Sequence, residues 1–316
     1  MNNNHTSNIA DHSDVINRIR NLNRKSNDVK SRLAPVLKKL WDPQRKFQAI
    51  SNNIDFIELR DNFPQFEEVI NFYEITAKAL GKLNAPFEIT PVLLQGEPGL
   101  GKTFFVSELA RAMGFPFYEV SLATTTGSFT LSGGSTQWAE GSPGFICNTL
   151  AESDIINPFV LIDEIDKCSG SHHYDPLNVF YNLLESHTAK RFRDEALEIN
   201  IDASKIIWIA TSNYLENIPE PIKSRMRVFK ITQPHPQVME DVVRKIYAYL
   251  MRTKPYGTLL QPELENSVVE KLSNHSPRSI KHAIEEGSYK AIRENRDAIR
   301  TSDLPETRSK YHVGFV

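Results

Sequence analysis

Residues 96–103 run Gly-Glu-Pro-Gly-Leu-Gly-Lys-Thr, directly after the apolar stretch Val92 to Gln95 and directly before a helical pattern from Thr103 to Met113. The spacing G-x-x-x-x-G-K-[ST] is that of a loop whose backbone cradles phosphates. Its glycines permit close approach of the main chain, and the unpaired amides and dipole of the following helix attract an anion. On this reading Gly96, Glu97, Pro98, Gly99, Leu100, Gly101, Lys102 and Thr103 form a nucleotide-binding loop. Lys102 would reach the β- and γ-phosphates of ATP, and Thr103 would ligate Mg²⁺. A glycine-rich turn arising by chance is the competing reading, and the flanking strand and helix weigh against it.

A second signal lies 60 residues on, where Phe159-Val160-Leu161-Ile162 is followed by Asp163-Glu164. Four apolar residues ending in two carboxylates place the acids at the C-terminal end of a buried strand, where open α/β sheets bind ligands. Asp163 would hold Mg²⁺ through its water shell, and Glu164 would orient and deprotonate an attacking water. An Asp-Glu pair can also cap a helix starting at Ile165. The upstream loop favours the catalytic reading.

The remaining chain fits an α/β protein. Pro91 to Gln95, Phe117 to Leu122, Phe159 to Asp163, Ile206 to Thr211 and Val228 to Thr232 are short runs rich in Val, Ile and Phe, separated mostly by helical segments. That alternation predicts a mainly parallel sheet of five strands covered on both faces. The expected organisation is a disordered leader over 1–13, a basic helical segment over 14–85, the phosphate-loop core over 86–233, and a small helical lid with a tail over 234–316. Pro64 to Leu83 is expected to be helical, as are Val238 to Arg252, Glu263 to Asn274 and Ser279 to Glu294.

With 316 residues, 40% hydrophobic, 24% charged and a net charge of -2, the bulk composition demands no acidic or basic partner. Cys147 and Cys168 are too few for a disulfide framework. The first residues lack a signal core and no apolar run approaches ~20 residues. A cytoplasmic protein without membrane association is the expectation. The one basic stretch, Arg18 to Lys39, holds eight Lys and Arg against Asp28 alone. His172, His173, His187 and His282 lack a third ligand at metal spacing and are taken as solvated.

Beyond these motifs the chain resembles the ATPase module of the Lon proteases, a branch of the AAA+ superfamily. Asn157-Pro158 through Asp163-Glu164-Ile165-Asp166-Lys167 is similar to that family's N-P-x-x-x-x-D-E-I-D-K. Asp175-Pro176, Leu183-Leu184-Glu185 and Phe192-Arg193-Asp194 resemble its next signposts. Ala210-Thr211-Ser212-Asn213 and Ile218-Pro219-Glu220-Pro221-Ile222-Lys223-Ser224-Arg225-Met226 follow in the same order. The resemblance covers roughly residues 70–289. It implies that Asn213 contacts the attacking water or the γ-phosphate. It also implies that Arg225 is an arginine finger acting on a neighbouring subunit, and that Arg278 contacts phosphates from the lid. Laid against the family's segment, Trp138 falls at an aromatic on a central-channel loop. Ser135, Thr136 and Gln137 replace the basic residues that precede it there.

The family's Ser-Lys peptidase domain has no counterpart in the 22 or so residues after Glu294, so peptidase activity is not expected. A homo-oligomeric ring, a hexamer by default in the family, is expected because the finger acts in trans. Three functions stay open from the sequence: remodelling of a protein partner through a central channel, action on nucleic acid through the Arg18 to Lys39 segment, and an ATP-dependent switch controlling a separate effector enzyme.

Overall fold

The computed structural model describes residues 6–50, 54–137, 141–168 and 174–305. By their contacts they form two compact units. One comprises Met1–Leu59, Glu67–Gly96 and Lys102–Ile231, and the other Arg60–Phe66, Glu97–Gly101 and Thr232–Val316.

The first unit has nine strands among its described residues: β1 (Thr6–Asn8), β2 (Gln44–Lys46), β3 (Val92–Gly96), β4 (Phe117–Ser121), β5 (Phe159–Asp163), β6 (Phe192–Asp194), β7 (Ile199–Ile201), β8 (Ile207–Ser212) and β9 (Arg227–Ile231). Five of them make a sheet in the order β4-β5-β8-β3-β9. All its pairings are parallel, with Leu93 opposite both Ala210 and Val228, and Leu161 opposite Ile209. Each predicted strand lies within one residue of its expected start and end. β5 is buried on both faces, as its unbroken apolar run requires. Val160 and Ile162 join the main core with Leu93, Ile146 and Trp208. Phe159, on the opposite face, meets Phe115 at 5.3 Å and Tyr73 at 6.0 Å between ring centroids.

Residues 6–13, expected to be disordered, instead hold β1 and the start of a helix, His12–Leu22. The reason lies in two residues. Ile9 is fully buried, and Asp11 caps the helix by accepting from the Ser13 amide at 2.7 Å. A second helix, Asn27–Lys39, is capped by Ser26 and continues through Pro35. Arg18 is buried on the first helix. It pairs with Glu198 at 3.1 Å and donates to the Ala196 carbonyl at 2.9 Å. One of the eight cations of the basic stretch is therefore an internal clamp, whereas Arg20, Arg24, Lys25, Lys38 and Lys39 are exposed.

Asn157 has no exposed surface and ties two loops together. It accepts from the Gln48 amide at 2.9 Å and donates to the carbonyls of Gln48 and Phe87 at 3.1 and 3.2 Å. Asp194, also fully buried, accepts from the amides of Gly144, Ala196 and Leu197. Gly133 packs so closely to Asp194 that an added Cβ would lie 2.8 Å from its carboxylate.

The second unit is helical, with Pro236–Thr253, Asn266–Leu272 and Pro277–Arg293 as its helices of seven residues or more. They converge on Met239, Val243, Leu250, Val268, Leu272, Ile280 and Ile284. Ser276 caps the last helix through the Ser279 amide, and Arg296 pairs with the buried Asp303 at 2.8 Å. No helix among the described residues is long and apolar enough to cross a membrane.

Candidate nucleotide site

In the first unit the C-terminal ends of β3, β5 and β8 deliver Gly96, Asp163 and Ser212 to one edge of the sheet, and helix Lys102–Met113 begins there. Lys102 is buried. Its ammonium donates to the Gly96 carbonyl at 2.7 Å and to the Asn213 side-chain oxygen at 3.0 Å. Burial pushes the Lys102 pKa below its ordinary value, while Asp163, Asp166 and Glu164 pull it back up. The nearby carboxylates thus favour the charged form of a lysine that burial would otherwise neutralise.

One oxygen of Asp163 receives two hydroxyls, Thr103 at 2.9 Å and Thr211 at 2.5 Å. Glu164 follows with left-handed backbone, φ 55° and ψ 48°, and its amide donates to Thr211 Oγ1 at 3.0 Å. Its carboxylate pairs with Lys167. Asp166 is buried and accepts from the Tyr214 amide at 3.0 Å, while the Asn213 carbonyl accepts from Gln95 at 3.2 Å. Lys102, Thr103, Asp163, Glu164 and Asn213, expected from the sequence to work together, thus lie in one cluster. Thr211 and Asp166 were not singled out for roles of their own. The only signal for Thr211 was its place two residues before Asn213 on a strand.

The rest of the loop belongs to the second unit. Gly99 and Gly101 have φ of 88° and 84°, values that strain any side chain. Glu97 and Pro98 are exposed and Leu100 is buried. The Leu100 carbonyl accepts from Gln65 at 3.1 Å. The Arg278 amide donates to the Gly99 carbonyl at 3.3 Å, and the Arg278 side chain is exposed.

Arg225 makes its side-chain bonds to residues outside the Lys102 cluster. It forms an ion pair with Glu185 at 2.8 Å and donates to the Pro221 carbonyl. Trp138 lies outside the described residues. No group of three or more His, Cys, Asp or Glu side chains able to hold a metal occurs among the described residues. Thr103 beside Asp163 is the smaller donor set expected for Mg²⁺, which takes few protein ligands and shares its remaining positions with water and phosphate.

A phosphate loop, a buried lysine and a carboxylate-tipped neighbouring strand on a five-stranded parallel sheet define a P-loop ATPase. Residues 92–233 match the ATPase family associated with various cellular activities (AAA). The chain carries an AAA-type ATPase module that resembles the one in Lon proteases. Lon protease from Malacoplasma penetrans is 34% identical over 141 residues, 45% of this chain and 18% of that protein. The mitochondrial Lon protease homolog of Saccharomyces cerevisiae is 30% identical over 222 residues, 70% of this chain and 19% of that protein. The chain thus spans about a fifth of the length of these relatives. A RuvB variant from Thermotoga maritima superimposes with a TM-score of 0.54 at 15% identity, over 78% of this chain and 69% of its own. The RuvB Holliday junction branch migration motor from the same organism gives 0.51 at 16%, over 75% and 66%. Both show a shared fold.

Proposed function

We propose that this chain hydrolyses Mg·ATP as a subunit of a homo-oligomeric ring, by default a hexamer, and uses the turnover to remodel or translocate a protein partner. The convergence of Lys102, Thr103, Asp163 and Asn213 within 3.0 Å contacts carries the nucleotide half of this reading. Backbone amides of residues 96–101 would cradle the phosphates, with Lys102 on the β- and γ-groups and Arg278 as a further phosphate contact. Thr103 and Asp163 would hold Mg²⁺, which supplies charge neutralisation on the phosphate oxygens when bound. Glu164 would take the proton of the attacking water, and Asn213 would position that water, its amide offering both a donor and an acceptor.

Arg225 would act on the nucleotide of a neighbouring subunit, stabilising charge in the transition state. Its side-chain partners, Glu185 and the Pro221 carbonyl, are not members of the Lys102 cluster, which fits a residue serving another site. The protein-directed half rests on the likeness to Lon proteases and on Trp138 as a gripping side chain of a channel loop. Nucleic acid is the alternative: Arg18 is committed to Glu198 and Ala196, while Arg20, Arg24, Lys25, Lys38 and Lys39 of the same stretch are exposed but have few aromatic residues near them to stack bases.

Mixing subunits tests the ring. Arg225→Ala and Glu164→Gln subunits, each inactive alone, are expected to recover hydrolysis when combined, at interfaces joining an intact Arg225 to an intact Glu164. Absence of recovery at every mixing ratio would remove the trans finger.

A further inference from the structure

Away from the nucleotide site, the first unit carries an open groove of about 570 Å³ between helix Leu177–Leu183 and the outer face of β6. Its size suits a few residues of a bound chain. Residues 191, 193 and 195 alternate with the buried Phe192 and Asp194, so Arg191, Arg193 and Glu195 share the exposed side. Neither arginine has a side-chain hydrogen bond or ion pair among the described residues. Two unneutralised guanidiniums on one wall are the strongest electrostatic feature of the groove. Asn178 and Asn182, four residues apart and therefore on one helix face, line the other wall.

Arg193 lies on β6, with Arg191 and Glu195 in the turns that flank it; side chains two apart on extended backbone repeat every ~6.6 Å, and so do those on one face of an extended peptide. Guanidiniums at that repeat match carboxylates at alternating positions of a chain laid alongside, each able to receive a forked pair of hydrogen bonds. The amides of Asn178 and Asn182 can donate to and accept from such a peptide's backbone. Glu195, next in the row, would repel a third carboxylate and favour a basic residue. A nucleic-acid strand fits less well. Phe192 is buried and offers no face for base stacking, which leaves the exposed His187 as the one ring of the lining open to a base, and Glu195 opposes a continuous run of phosphates.

We propose that this groove docks an extended segment of a partner protein with acidic residues at two alternating positions and a basic residue two places further on. The site is independent of the nucleotide chemistry. Fluorescence anisotropy tests it with a labelled octapeptide in which Glu alternates with Ala and Lys follows two places after the last Glu. The full-length chain is expected to bind this peptide in a salt-sensitive manner. Arg191→Ala combined with Arg193→Ala is expected to weaken binding by about tenfold or more, and a Gln-for-Glu peptide to bind comparably weakly. Both arginines are exposed, so the double variant is expected to melt with the parent. Equal affinity for the two peptides, or for parent and double variant, would overturn the proposal. So would absence of peptide binding, as would displacement of the peptide by lower concentrations of an eight-residue oligodeoxythymidylate than of unlabelled peptide.

Discussion

The amide of Glu164 donates to the hydroxyl of Thr211 at 3.0 Å while Glu164 occupies the left-handed region of backbone space. That conformation costs a non-glycine residue roughly 1 to 2 kcal/mol, and the Thr211 hydroxyl offsets it. The same hydroxyl donates to Asp163, so one side chain holds the Asp163 carboxylate and the backbone from which the Glu164 side chain projects.

Thr211→Val keeps the shape of the side chain and removes both hydrogen bonds. Loss of a buried hydrogen-bond partner costs about 1 to 3 kcal/mol, enough for a roughly tenfold to hundredfold fall in turnover if it is felt in the transition state. ATP affinity is expected to change by less than about threefold, since the variant leaves Lys102 in place. Steady-state rates beside nucleotide titration check this. Affinity falling as far as turnover would show that Thr211 supports the whole site and not Glu164 in particular.

Asp166 gives a second, graded case. Its Oδ2 accepts the Tyr214 amide, and its buried Oδ1 has no hydrogen-bond partner among the described residues. Asp166→Asn retains an acceptor for Tyr214, whereas Asp166→Ala frees the segment that carries Asn213. Turnover is expected to order as parent, then Asn, then Ala, with the Ala variant down about tenfold for one lost charge-assisted hydrogen bond. An Ala variant as active as the Asn variant would separate Asp166 from Asn213.

Arg18 supplies a stability prediction free of catalysis. Arg18→Ala removes two bonds to Glu198 and one to Ala196, leaving the Ala196 carbonyl without that donor. A loss of about 1 to 3 kcal/mol is expected in denaturant unfolding, moderated because Glu198 is half exposed and screened by solvent. Arg18→Lys is expected to recover only part of it, because an ammonium cannot reproduce the fork. A fully stable Ala variant would mean that the pair contributes nothing net.

Legibility from the sequence followed the range of the forces involved. The inner strands β3, β5 and β8 were plain because a doubly buried strand needs an unbroken apolar run, as in Phe159 to Ile162, and the edge strands β4 and β9, more exposed, were marked by their short Val- and Phe-containing runs. Gly96 to Thr103 and Asp163-Glu164 were plain because phosphate and metal chemistry tolerates few residue types at few spacings. The hairpin of β6 and β7 was not, since three-residue strands rely on a partner distant in sequence. Arg18 looked like its basic neighbours because helical spacing alone did not reveal that Glu198, 180 residues away, would bury it. Asn157 and Asp194 were visible only as signposts of a resemblance. Their chemistry, an amide bridging the main chain of Gln48 and Phe87 in one case and a carboxylate gathering three backbone amides in the other, emerges from the folded contacts.

The central claim is that Lys102 holds ground-state phosphate while Glu164 acts on water. Equilibrium binding of Mg·ATP and steady-state phosphate release, measured on Lys102→Ala and Glu164→Gln beside the parent, test it most directly. Lys102→Ala is expected to lose binding, and with it turnover. Glu164→Gln is expected to bind within a few-fold of the parent and to lose turnover by about a hundredfold or more, the usual range for a general base. Equal loss of binding in both variants, or near-parental turnover by Glu164→Gln, would contradict the assignment.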